Sequence, residues 1–205
     1  LEDHAFLLEA LLSLYEASFE QRWFDAAEEL AQAMIARFAD PERGGFFSTS
    51  KDHEALIARR KELGDHPIPS GNSSAALGLL RLSALTGERG YEREAEGVLA
   101  ILAPYAARRP EAFSHLLRAL DFHLSPTTEV ALIGDAVGEL AGIVRSGFHP
   151  HLVLAGGPEG SASPPLLRGR TEVQGRAAAY VCERFSCRRP VTATAELAGL
   201  LQQTP

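Results

Sequence analysis

Leu7-Leu8-Glu9-Ala10-Leu11-Leu12-Ser13-Leu14-Tyr15-Glu16-Ala17-Ser18 opens a stretch, residues 7–38, that returns further along the chain as residues 75–106. In that register Leu11, Leu12 and Leu14 fall on Leu79, Leu80 and Leu82, Ser18 on Thr86, Trp23 on Tyr91, Ala27 on Ala95, Leu30 on Val98 and Met34 on Leu102. Each copy reads as one helical hairpin. A partial third echo sets Leu116-Leu117-Arg118-Ala119-Leu120 against Leu7-Leu8-Glu9-Ala10-Leu11, as if another hairpin began and then lost its second helix. A hairpin of this size cannot bury its apolar face alone, so neighbouring copies must stack.

The spacing predicts a first helix from about Asp3 to Ser18, with the Asp3 carboxylate as N-cap. Phe6, Leu7, Leu8, Leu11, Leu12 and Leu14 go nearly all the way round it, the pattern of a helix buried on most sides. The second helix, residues 22–38, instead gathers Trp23, Ala26, Ala27, Leu30, Met34 and Phe38 on one stripe, as a half-exposed outer helix does. Residues 73–85 and 91–107 repeat the contrast. Inner helices alternating with outer ones predict a mainly α fold, a partial α/α toroid of about five helices over residues 1–125. Between the copies, Gly44-Gly45-Phe46-Phe47-Ser48-Thr49 and Ala55-Leu56-Ile57-Ala58-Arg59 flank a polar turn and read as a β-hairpin, with a short helix over 52–60 as the rival.

After Pro126 the texture changes. Glu129–Ile133, His151–Leu154 and Ala177–Val181 are strand-like runs, and a helix of about 137–145 separates the first two. This predicts a small α/β module with a parallel sheet over residues 126–205. Residues 158–170, rich in Pro, Gly and Ser, read as a mobile loop, and residues 194–202 as a short helix capped by Thr192 or Thr194.

Composition narrows the class. The chain has 205 residues, 45% of them hydrophobic, which is enough for a substantial core. Its apolar runs fall short of the roughly 20 residues that cross a bilayer, so no membrane association is expected. A net charge of −7 disfavours nucleic acid, whose phosphates require clustered Lys and Arg. Two cysteines are too few for a disulfide-stapled secreted scaffold, which points to a reducing cytoplasm. Cys182 and Cys187 are read as inert or structural thiols, with a bridge or redox pair as the alternative. Their four-residue gap is not the spacing of a zinc knuckle or a redox dithiol, and no metal or cofactor is expected. The chain starts at Leu1 and enters a helix at once, which reads as a fragment of a longer polypeptide.

The densest polar segment is Lys61-Glu62-Leu63-Gly64-Asp65-His66-Pro67-Ile68-Pro69-Ser70-Gly71-Asn72-Ser73, leading onto the start of an inner helix. A helix N-terminus offers unpaired amide protons to an anionic or hydroxyl-rich ligand. The plainer account is that Pro69 shapes the entry while Ser70 or Asn72 caps the helix. In the first reading Asp65 is the acid/base and His66 the proton shuttle. Ser70 and Asn72 orient the substrate, joined at one rim by Asp3, His4 and, from the third inner helix, His115.

The order Asp3-His4-Ala5-Phe6-Leu7, Leu14-Tyr15-Glu16-Ala17, Gly44-Gly45-Phe46-Phe47, Lys61-Glu62, Pro69-Ser70-Gly71-Asn72-Ser73, His115-Leu116-Leu117 and Ala179-Tyr180-Val181-Cys182 resembles the spermatogenesis-associated protein 20 family. The resemblance implies thioredoxin-domain-containing proteins with an (α/α)6 barrel similar to N-acylglucosamine 2-epimerases and six-hairpin glycosidases. This chain would then be the C-terminal part, with the thioredoxin-like domain upstream of it. Two departures fall in the polar segment: Asp65-His66-Pro67-Ile68 replaces the family's usual Asp-Gly-Ala-Thr, and Asp3-His4 its Asp-Tyr.

Two functions follow as expectations. In one the barrel binds or acts on a carbohydrate-like small molecule. In the other it is a non-catalytic scaffold or interaction module serving the thioredoxin-like domain, and the polar segment only caps helices. A piece of a toroid leaves inner helices uncovered, so self-association is expected as well.

Overall fold

The computed structural model describes residues 1–54 and 58–203. They fall into two compact units, one of Leu1–Leu14, Arg22–Ser83 and Glu88–Leu124, the other of Tyr15–Gln21, Ala84–Gly87 and the residues after Leu124. About half of the chain is helical, and among the described residues no helix is long and apolar enough to cross a membrane.

The helical unit carries the sequence repeat into its backbone. Helix α1 spans Glu2–Ser18, α2 Gln21–Phe38, α3 Gly71–Thr86, α4 Arg89–Ala106 and α5 Ser114–Leu124. The bounds of α4 are those of α2 moved by the repeat offset. Helices α1 and α3 lie side by side and run the same way: a Cβ on Gly71 would stand 3.0 Å from the Leu1 side chain, and one on Gly78 2.9 Å from that of Leu8. Helix α3 is buried from Gly71 to Leu80. Helix α1 buries Ala5, Leu8, Leu11 and Leu12 but leaves Leu7 50% and Leu14 45% exposed, so the predicted all-round burial holds for α3 and not for α1. In α2 the buried stripe is Phe24, Ala27, Ala31, Met34 and Phe38. Trp23 and Leu30 flank that stripe, and the Arg22 guanidinium lies 4.3 Å from the Trp23 ring centre. Asp3 is not the N-cap: the helix already starts at Glu2, and Asp3 stands exposed in the first turn, where its charge still favours the helix dipole.

The connection between the copies is not a hairpin of strands in its described part. Ala39 and Phe46 form a single bridge, and the Ser48 amide donates to the Arg60 carbonyl at 2.7 Å. Residues 55–57, the middle of the predicted second strand, lie outside the described residues.

The second unit contains a four-stranded sheet in the order β2-β1-β3-β4, with β1 Thr128–Ile133, β2 Leu152–Gly157, β3 Ala178–Glu183 and β4 Ser186–Cys187. Strand β1 pairs parallel with β2 across helix α6, Gly138–Ser146, but antiparallel with β3. The sheet is therefore mixed and not parallel throughout. The reason lies in residues 158–177, whose one helical segment is a short 3-10 turn, Pro165–Leu167, with no crossover helix to bring the chain back in the same direction. That turn buries Leu166 and Leu167 and packs on β1 and β2, so the expected mobile loop is anchored. Strand β1 is buried along its whole length, as a central strand should be. Val130, Leu132, Leu154, Ala179 and Val181 form a core with Leu140 and Val144 of α6 and with Leu197 and Leu201 of α7, Thr194–Gln202. The N-cap position of α7 is Ala193, with no side-chain cap, so neither Thr192 nor Thr194 plays the predicted role.

Gly156 lies inside β2 opposite Leu132. The Phe19 ring covers it, and a Cβ there would meet ring atoms at 2.7–2.8 Å. Phe19 itself has φ 59, and its equivalent in the second copy, Gly87, has φ 76. Both inner helices thus end on a left-handed residue, which glycine adopts without steric cost and phenylalanine does not. Cys182 and Cys187, directly opposite in the β3–β4 hairpin, form a disulfide, so the expected inert thiols are bonded to each other.

Candidate functional site

The polar segment before α3 folds inward. Its Asp65 backbone amide donates to the Ala112 carbonyl at 2.8 Å, fixing the residue against the chain that enters α5. Asp65 Oδ1 accepts from the Ser70 amide at 2.9 Å, and Oδ2 from the amides of His115 at 2.8 Å and Leu116 at 3.2 Å. These last two belong to the first turn of α5, whose amides have no partner within the helix. Burial pushes the Asp65 carboxyl up, but hydrogen bonds from the Ser70 amide, the Ser73 hydroxyl and the amides of Leu116 and His115 outweigh it and hold the group below the usual carboxylate range.

Ser70 occupies the position before α3, and its Oγ accepts from the Ser73 amide at 3.1 Å, an N-cap bond. Its hydroxyl also lies 2.9 Å from that of Ser73. Asn72 uses its whole amide. Oδ1 accepts from the Phe46 amide at 2.8 Å, while Nδ2 donates to the carbonyls of Phe46 and Glu62, each at 3.0 Å. Ser70, Asn72 and Ser73 are all buried.

The other predicted positions are dispersed. His66 is exposed, with its backbone amide on the Ile68 carbonyl. Asp3 is exposed, and the half-buried His4 ring packs edge-on to Phe38 at 5.0 Å. Burial, then the nearby N-terminal amino group and Arg37, lower the His4 pKa and favour the neutral ring. His115 Nε2 lies 2.8 Å from Glu9 Oε1, and Arg118 lies 3.3 Å from its Nδ1. The structure thus gathers Asp65, Ser70, Ser73 and the His115 backbone, and pairs the His115 ring with Glu9.

Glu9 escaped the sequence reading, although an acid inside the apolar run Leu8-Glu9-Ala10-Leu11 of an inner helix was a usable signal. So did Asp40, whose carboxylate caps the amides of Glu42 and Arg43 and meets Lys61 Nζ at 2.7 Å. The Lys61 hydrogen bond is the main cause of its lowered pKa. Lys61 also donates to the Gly44 carbonyl. Among the described residues, Glu92, Glu96 and His123 bring one ligand atom each within 4.8 Å of one another, a donor set able to take a divalent metal at the α4–α5 surface. In the second unit a pocket of about 340 Å³ is lined by Thr128, Val181, Cys182, Glu183, Ser186 and Arg188, among others.

These features define a helical-hairpin repeat unit, its inner-helix starts tied together by one buried carboxylate, in a chain that also carries a small mixed α/β unit. The chain is 33% identical over 99% of its length to spermatogenesis-associated protein 20 of Mus musculus, and 33% identical over 98% of its length to that of Homo sapiens. An uncharacterised protein of Caenorhabditis elegans is 28% identical over 98% of the chain. The chain resembles the spermatogenesis-associated protein 20 family from end to end and spans about a quarter of the length of these curated relatives, 27% of the mouse and human proteins. No family model matches it.

Proposed function

We propose that the helical unit is a non-catalytic scaffold, part of an incomplete α/α toroid, in a longer cytoplasmic protein that also carries a thioredoxin-like domain. The observation that supports this most is the state of Asp65. Both carboxylate oxygens accept backbone amides that open helices or lead into them, and the group is held ionised. A carboxylate already saturated by amides is a poor proton donor near neutral pH. Ser70 and Asn72 are likewise consumed by the fold. The parallel course of α1 and α3 supports the toroid part of the proposal.

A carbohydrate-like ligand is the second reading, and the Glu9–His115 pair favours it. A partly exposed carboxylate and imidazole at 2.8 Å are suited to proton transfer with a hydroxyl-bearing substrate. Calorimetric titration of a panel of neutral and amino sugars into the chain separates the two. The scaffold reading expects no binding heat. A saturable heat that disappears in Glu9→Gln and His115→Ala overturns it and establishes the second reading.

A further inference from the structure

The β3–β4 hairpin carries chemistry that neither scaffold nor sugar site uses. Cys182 and Cys187 sit directly opposite each other, and Arg188 N bonded to Val181 O marks theirs as the pair without backbone hydrogen bonds between them, where side chains approach closest. The two sulfurs differ in access: Cys182 is 3% exposed, whereas Cys187 is open to solvent. One guanidinium serves both, with Arg170 Nη2 3.0 Å from Cys187 Sγ and 3.5 Å from Cys182 Sγ. Arg184, Arg188 and Arg189 surround the hairpin with further positive charge, against Glu183 on the same strand pair and the buried Glu129, whose Oε2 accepts the Phe185 amide at 2.7 Å. The pocket described above opens beside Cys182 and includes Arg188 and Ser186.

We propose that the Cys182–Cys187 bridge is a thiol–disulfide exchange site for small anionic thiols, with Cys187 as the sulfur attacked and Cys182 as the leaving thiolate stabilised by Arg170. Access selects Cys187, because the attacking thiolate must approach in line with the S–S bond and Cys182 is covered. The thiolate RS⁻ bonds to Cys187 Sγ, the S–S bond breaks, and its electron pair passes to Cys182 Sγ beside the guanidinium. A second RS⁻ attacks the donor sulfur of the mixed disulfide, releasing RSSR and the Cys187 thiolate. The donor is oxidised by two electrons and the bridge is reduced by two, with solvent supplying protons as the thiolates require. The reverse sequence, with RSSR as oxidant, closes the bridge. A cation near the sulfurs lowers the cost of thiolate formation, and the surrounding arginines favour a donor that is itself negative.

The test uses the folded chain and glutathione, a thiol with net negative charge, with cationic cysteamine as the comparison. At equal thiolate concentration, glutathione is expected to open the bridge about tenfold faster, and Arg170→Met to remove most of that advantage, a change of roughly 1.4 kcal/mol in barrier. In the reverse direction, glutathione disulfide is added to two single-cysteine variants. Cys182→Ser is expected to accumulate a mixed disulfide on Cys187 within minutes, and Cys187→Ser to leave Cys182 unmodified while native circular dichroism is retained. The thiol comparison needs no variant and stands if Arg170→Met fails to fold. A bridge opened equally fast by both thiols, one opened only in denaturant, or faster labelling of Cys182 than of Cys187 would overturn the proposal.

Discussion

Asp65 Oδ2 lies 2.8 Å from the backbone nitrogen of His115, 50 residues further along the chain, while Oδ1 of the same carboxylate holds the amide of Ser70. One side chain thereby joins the approach to α3 and the start of α5. Its negative charge also sits where the dipole of α5 is positive, which adds to the hydrogen bonds. The Asp65 carboxylate is thus a clasp between two successive repeat units.

Removing that clasp should be costly. Asp65→Ala leaves three amides without their acceptor in a buried site, and bonds to a charged acceptor contribute about 1.5–3 kcal/mol each before relaxation. A loss of about 3 kcal/mol or more is expected in urea unfolding, with Asp65→Asn intermediate because one oxygen remains. A loss under about 1 kcal/mol for the alanine variant would remove the clasp from the account.

The same residue sets an acid limb of stability. Its pKa is lowered in the fold from the ordinary 3.8, so the native state binds this proton less readily than the unfolded chain. The stabilisation is therefore complete above the unfolded value and lost as pH falls through the folded one. Melting temperatures of the native chain and Asp65→Asn should differ most above about pH 5 and converge towards pH 2. A difference that stays constant over that range contradicts the prediction.

Asn72 tests the connection between the repeats. Asn72→Ala deletes one acceptor and two donor bonds to Phe46 and Glu62 in a buried setting, and a loss of about 2–4 kcal/mol is expected from chemical denaturation. Asn72→Asp keeps the acceptor for the Phe46 amide but turns a carboxylate towards two carbonyls, and should cost at least as much at neutral pH.

The contact of Phe19 with Gly156 should show as coupling. Gly156→Ala drives a methyl into the Phe19 ring and is expected to cost about 1–3 kcal/mol. In a Phe19→Ala background the same change should cost less than about 1 kcal/mol, because the clashing ring is gone. Equal costs in both backgrounds would mean that the ring yields freely.

Ser70→Ala removes the N-cap of α3 and should lower stability by about 1 kcal/mol. Ser70→Asp should restore less than the usual cap benefit, since its carboxylate would stand beside that of Asp65, which accepts the Ser70 amide. A thermal melt of the two variants beside the native chain reads both effects.

Much of the helical unit was legible because local periodicity and an internal repeat both report on which faces are buried. Apolar spacing placed α1 to α4 within a few residues and marked only the start of α5, and the offset between copies recurs in the bounds of α2 and α4. Legibility failed where a partner distant in sequence decides. Trp23 and Phe24 are adjacent and both aromatic, and only the neighbouring helices select Phe24 for burial. Strand β3 was found, but its antiparallel direction depends on how residues 158–177 return to the sheet. For the candidate site, sequence marked the segment from Lys61 to Ser73 without saying whether its polar groups face a ligand or the fold.

Residue order alone therefore determined most of the helices, the three longer strands, the repeat and the segment in which polar groups concentrate, because helix and strand periods are properties of neighbouring residues. Tertiary structure decided what those groups do. Asp65 reaches His115, His115 reaches Glu9 and Arg170 reaches two sulfurs only once the chain has packed, since hydrogen bonds and charge interactions act over a few ångströms in space, whatever the separation along the chain.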